Sequence, residues 1–242
     1  MPAQQNSLIM RNWWKVMAVI LVFYTIIMGF LAKVPALFVL NETIRNLYFH
    51  VTMWFCMMAL LSVSVYHSIA YLGKPLYEKD LKAASFAETG LFFGLLGIAT
   101  GSVWARFTWG AWWVNDPKLN GAAVSVLIYM AYLILRNSLD EEQKRARISA
   151  VYNIFAYVLM LVFLMVYPRL NQVDSLHPGN GGNPAFSSYD LDSQMRLVFY
   201  PAVAGWILTG VWLSSLRIRL GMLQYKKLSG DLLNKKQGSY AK

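Results

Sequence analysis

The sequence predicts an all-α membrane protein with six transmembrane helices and a short Trp-rich amphipathic segment on the outer face. Two observations carry this reading. Of 242 residues, 57% are hydrophobic and only 14% charged, with a mean hydropathy of +0.41, a balance foreign to soluble domains. Six continuously apolar runs also recur, at 14–32, 47–71, 84–104, 121–136, 150–167 and 197–216, each near the roughly 20 residues a helical span needs. Continuous runs, not alternating ones, argue against a β-barrel. The connections are short, so residues 1–242 read as one membrane-integral domain with its Trp-rich segment at 105–120.

The first run is too long for a cleavable signal and has no convincing small-residue cleavage site after it, so it stays as span one. His50 opens the second run, and Cys56 lies inside it. A single cysteine excludes an intramolecular disulfide and a CxxC pair, leaving a packing role. His67 follows His50 on the same span, about 25 Å further along a helix, where packing or snorkelling is expected. Glu88 falls early in span three, near enough to the edge to reach water. Pro201 is expected to kink or open span six.

Charge orients the bundle. Of 22 Lys and Arg residues, 16 fall at the termini and in the second and fourth loops, and 6 in the first, third and fifth. The positive-inside rule then puts both termini in the cytoplasm and explains the net charge of +10 without nucleic acid. Loops one, three and five lie outside. They hold, in turn, His50 at the start of span two, Trp109–Asp116, and His177.

Trp109-Gly-Ala-Trp-Trp-Val-Asn-Asp116 lies between spans three and four. If helical, Trp109, Trp112, Trp113 and Asp116 share one face at i, i+3, i+4 and i+7, an aromatic platform ending in a carboxylate. Such a surface suits a large, flat, apolar ligand with a polar edge. Two imidazoles on opposite sides of a macrocycle ligate haem iron axially, indoles stack on a porphyrin, and propionates need cations. The candidates are therefore His50 and His177 for the iron, and Trp109, Trp112, Trp113 and Asp116 for the platform. Arg45 and Arg106 are the first cations, with Lys118, Arg169 and Arg196 also on the outer side. His177 begins a stretch rich in turn formers, to Pro184, so it is expected to be the mobile ligand and His50 the fixed one.

WGAWWVNDPKLN, with TGSVWARFTWG before it, LYFHVTMWF around His50 and SLHPGN around His177, resembles the WWD signature of the haem-handling proteins of cytochrome c biogenesis. The chain is similar to the haem exporter protein C (cytochrome c maturation protein C) family from about residue 15 to 216. It departs from the family at Asn115, Lys118, Asn120 and Thr52. The resemblance implies transient, non-covalent haem b as cargo and delivery to a periplasmic haem chaperone. It also implies partnership with the membrane and ATPase subunits of an ABC transporter and a small single-span protein, in the lipid of a bacterial inner membrane. No P-loop pattern occurs in the chain, so ATP hydrolysis is expected from a partner, and the chain is not expected to be an enzyme. Two other readings are an electron-transfer cytochrome b, which needs histidines paired at matching depth within the spans, and a permease whose tryptophans form an interfacial belt.

Overall fold

The structure, a computed structural model, describes residues 2–35, 40–170, 175–177 and 191–240, with side chains from 12 to 229 of that set. It contains six helices long and apolar enough to cross a membrane and, among the described residues, no strand. They are α1 (Pro2–Leu31), α2 (Leu47–Gly73), α3 (Tyr77–Trp109), α4 (Pro117–Asn137), α5 (Glu142–Leu161) and α6 (Ser193–Tyr240). A 3-10 turn, Asn41–Asn46, leads into α2, and a π turn, Val162–Val166, extends α5. Each expected span is present, and most run past the apolar stretch that marks it. In α3, Glu78 and Asp80 occupy the first turn, where the helix dipole favours them.

α2 is the central helix, packing on α3, α5 and α6. Its contact with α3 is built on glycines. Gly90, Gly94, Gly97 and Gly101 recur along one face of α3. An added Cβ would lie 2.9 Å from Leu61, 2.7 Å from Met57, 2.8 Å from Trp54 and 2.5 Å from His50, respectively. The partners run in reverse order, so the two helices pack antiparallel. In lipid, close approach of backbones is what holds helices together, and small residues permit it. The stripe sets the register of α2 against α3 and seats His50 over Gly101.

α1 packs chiefly on α6, where a Cβ at Gly205 would lie 2.9 Å from that of Leu21. α6 continues through Pro201 as one helix, so the span is not opened there. Proline leaves the carbonyl four residues back without its helical donor, and the Tyr24 hydroxyl of α1 donates to that carbonyl, Leu197 O, at 3.1 Å.

The end of the bundle remote from His50 is held by polar pairs. Arg136 donates both guanidinium nitrogens to Asp80, at 2.7 and 2.6 Å. Asn153 donates to Ser64 and Ser68 at 2.7 and 2.9 Å. Glu88 is tied to Arg217 of α6. His67 stacks on Phe86, and the Cys56 thiol donates to Trp206 O at 3.3 Å; both are packing contacts, as expected.

Candidate functional site

His50 sits one turn into α2. Its Nδ1 lies 3.0 Å from the Gly97 carbonyl oxygen and 3.3 Å from Thr100 Oγ1. A carbonyl only accepts, so Nδ1 carries the proton and donates. The Thr100 hydroxyl is itself committed as a donor to Leu96 O at 2.8 Å. In the neutral ring Nε2 therefore holds the lone pair. The absent side chain at Gly101 makes room for the ring, and the Trp104 indole meets it edge-on, centroids 5.8 Å apart. Trp104 is in turn held by its Nε1–H, which donates to Thr43 in the 3-10 turn at 3.2 Å.

Helix α3 stops at Trp109, and Gly110 closes it in the left-handed conformation, φ +80°, a common glycine helix end. Residues 111–116 are not helical. Trp109, Trp112, Trp113 and Asp116 therefore do not share a helical face, which corrects the sequence expectation. The glycine between the first two tryptophans ends the periodicity the platform required.

Asp116 is 1% exposed and is not a polar edge of the platform. It is the N-cap of α4, with Pro117 in the first helical turn. Oδ1 accepts from the N–H groups of Lys118 and Leu119 at 2.8 and 3.3 Å. Oδ2 accepts from the Ser175 hydroxyl and the Leu176 N–H at 2.9 and 2.7 Å. Oδ1 also faces His177 Nδ1 at 3.1 Å. One carboxylate thus joins the start of α4 to the chain segment that carries His177. Burial pushes the Asp116 carboxyl up, but the hydrogen bonds from His177, Leu176 and Ser175 outweigh it and hold the group below the usual carboxylate range. A carboxylate only accepts, so the proton of a neutral His177 ring is on Nδ1 and the lone pair on Nε2. Ser175–His177 are thus anchored on Asp116; the turn-rich stretch 178–184 lies outside the described residues.

His50 and His177 line one cleft, with Leu40, Gly101, Trp104, Ala105, Thr108 and Trp109. Trp109 packs edge-on against His177, centroids 4.9 Å apart. The Thr108 hydroxyl is buried there and has no hydrogen-bond partner among the described residues. The cleft holds about 20 Å³, room for one water molecule but not for a porphyrin.

The remaining candidates surround the cleft without lining it. Trp112 and Trp113 are 59% and 40% exposed. Arg45 donates to Gly29 O and Ala32 O at the end of α1 and pairs with Glu42. Arg106 donates to Gly110 O at the end of α3, Arg169 to Met165 O, and Arg196 to Leu191 O. Lys118 follows the Asp116 cap in the first turn of α4. Arg45, Arg106 and Arg169 serve carbonyls at helix C-termini, a favourable place for cations, and Arg196 serves one just before α6; none is directed into an open site as expected.

Sequence reasoning missed Gly97, Thr100, Gly101, Trp104, Thr108 and Ser175. A signal was present: Gly101, Trp104, Ala105 and Thr108 fall at i, i+3, i+4 and i+7. The periodicity sought in 109–116 is realised about two turns earlier, on the last turns of α3.

The family model described as Heme exporter protein C matches residues 3–231. The Heme exporter protein C of Escherichia coli (strain K12) is 24% identical over 220 residues, 89% of this chain and 84% of that one. That of Haemophilus influenzae is 23% identical over 199 residues, 80% of this chain and 77% of that one. The chain is also similar to the cytochrome c biogenesis protein CcsA of Prochlorococcus marinus, 32% identical over 105 residues, 42% of this chain and 33% of that one.

Proposed function

We propose that this chain, which belongs to the heme exporter protein C family, takes haem b as transient, non-covalent cargo between His50 and His177. The chain is a haem-handling membrane protein of cytochrome c biogenesis. One observation carries the finer reading. Two histidines far apart in sequence line the same cleft, and each gives its Nδ1–H to an oxygen that only accepts. Such a partner fixes ring orientation and tautomer and raises the basicity of the other nitrogen. Nε2 of each ring is then the atom offered to an iron.

The two ligands differ in how they are held. His50 is on a helix and locked by the glycine stripe. His177 is on a non-helical segment and held through Asp116 and Trp109. His177 is thus the ligand that withdraws to admit and release cargo. Trp104 and Trp109 flank the macrocycle, and the exposed Trp112 and Trp113 cover it from outside. Arg45, Arg106, Lys118 and Arg196 are the cations within reach of the site's surroundings. A propionate offers the arginines a fully charged, bidentate acceptor in place of a carbonyl. Thr108 offers its unpaired hydroxyl.

With both termini cytoplasmic, the cleft opens to the periplasm of a bacterial inner membrane. There it presents haem to a periplasmic chaperone, while the membrane and ATPase subunits of an ABC transporter and a small single-span protein supply energy and release. The chain itself makes and breaks no covalent bond in this scheme.

The test is the absorption spectrum of purified protein titrated with haem. Wild type is expected to show a low-spin, bis-imidazole spectrum, and His50→Ala and His177→Ala each to lose it. A low-spin spectrum that survives either substitution unchanged removes that residue from the iron.

A further inference from the structure

We propose that the seam between α4 and α5, at the end of the bundle away from the cleft, binds one anionic phospholipid, with an acyl chain in the seam and the phosphate on Arg147. A groove of about 440 Å³ lies there, lined by Leu135 of α4 and by Arg147, Ile148, Val151, Tyr152 and Phe155 of α5. Ile148, Val151, Tyr152 and Phe155 sit at i, i+3, i+4 and i+7 and make one face of the helix. Val151 and Phe155 are 56% and 60% exposed, so no described helix covers that face. Both belong to a segment long and apolar enough to span a membrane, Glu142–Arg169, and what covers such a face in a bilayer is lipid or another helix.

The side chains favour lipid. Helix partners in membranes meet over small residues, and this groove presents only large ones besides its arginine. Arg147 supplies the charge. It is exposed and makes no hydrogen bond or ion pair to a described residue, whereas Arg136 nearby is committed to Asp80. The acidic Asp140, Glu141 and Glu142 precede it in the chain and do not line the groove. Leu135 and Arg147 flank the α4–α5 connection, so the guanidinium reaches headgroup depth while its stem and the groove stay in the acyl region. Leu135 lies 19 residues after the Asp116 cap of α4, about 28 Å along the helix, so the site is separate from the cleft.

The test uses the purified full chain, equilibrated with vesicles of equimolar phosphatidylcholine and phosphatidylglycerol and extracted for native mass spectrometry. Wild type is expected to retain one phosphatidylglycerol in preference to phosphatidylcholine. Arg147→Gln is expected to lower that preference about fivefold, and Arg147→Lys to keep most of it. Val151→Trp, which fills the groove, is expected to lower retention of both lipids. Equal retention of the two lipids by wild type, or an unchanged preference in Arg147→Gln, overturns the proposal. So does a crosslink from position 151 to another membrane protein in native membranes.

Discussion

Gly101→Ala separates the site from the scaffold. The new methyl would lie 2.5 Å from His50 Cε1 and 3.0 Å from Nδ1, nearly an ångström inside ordinary contact at the closer atom. The neighbour is a ring whose Nδ1 is bonded to Gly97 O at 3.0 Å, so it retreats only by giving up that bond. Overpacking costs about 1–3 kcal/mol and the lost hydrogen bond about 1 kcal/mol. Alanine returns about 1 kcal/mol of helix propensity. The net loss of stability is therefore about 1–3 kcal/mol, and the protein still folds. Loss of the oriented ring weakens haem binding by about 10–100-fold. Thermal unfolding in detergent and a haem titration of the same sample measure the two effects. Gly73→Ala is the control, because a Cβ there meets nothing within 4 Å. Wild-type haem affinity and an unchanged low-spin spectrum in Gly101→Ala would refute the seating of His50 on this glycine.

Other substitutions probe other links. Asp116→Asn keeps one acceptor oxygen but loses the charge and at least one of the donors from Ser175, Leu176 and His177. It is expected to lower haem affinity about tenfold in folded protein, and an unaltered titration would count against Asp116 as the group that positions His177. Asp80→Asn strands the buried Arg136 charge and is expected to cost about 3–5 kcal/mol. Asp80→Asn with Arg136→Met recovers much of this, both read from unfolding temperatures. Tyr24→Phe leaves the carbonyl opposite Pro201 without its donor. It is expected to cost about 1 kcal/mol with the haem spectrum unchanged, and no loss of stability would mean that the contact is incidental.

Much of the architecture was legible in the chain because lipid imposes a one-dimensional rule. A segment that crosses must be helical, continuous and apolar, so composition and run length alone mark six spans. Charge bias and residue type then single out His50, His177 and the tryptophans around 109. What the residues do to one another was not legible. The platform reading failed because Gly110 ends the helix, and a local pattern does not announce a left-handed residue. In the sequence Asp116 reads as a ligand edge, yet it anchors the His177 segment, a contact spanning 61 positions in sequence. His50 and Gly97 are 47 apart. Such pairings depend on the register of α2 against α3 and on the return of the chain after α5. Register follows from backbones meeting over glycines, a relation between two helices that neither helix's own periodicity contains. Span count and candidate ligands thus belong to the sequence. The tautomer of each histidine, the closure of the cleft and the commitment of the cations belong to the tertiary structure, because they are set by atoms that only folding brings within 3 Å or so of one another.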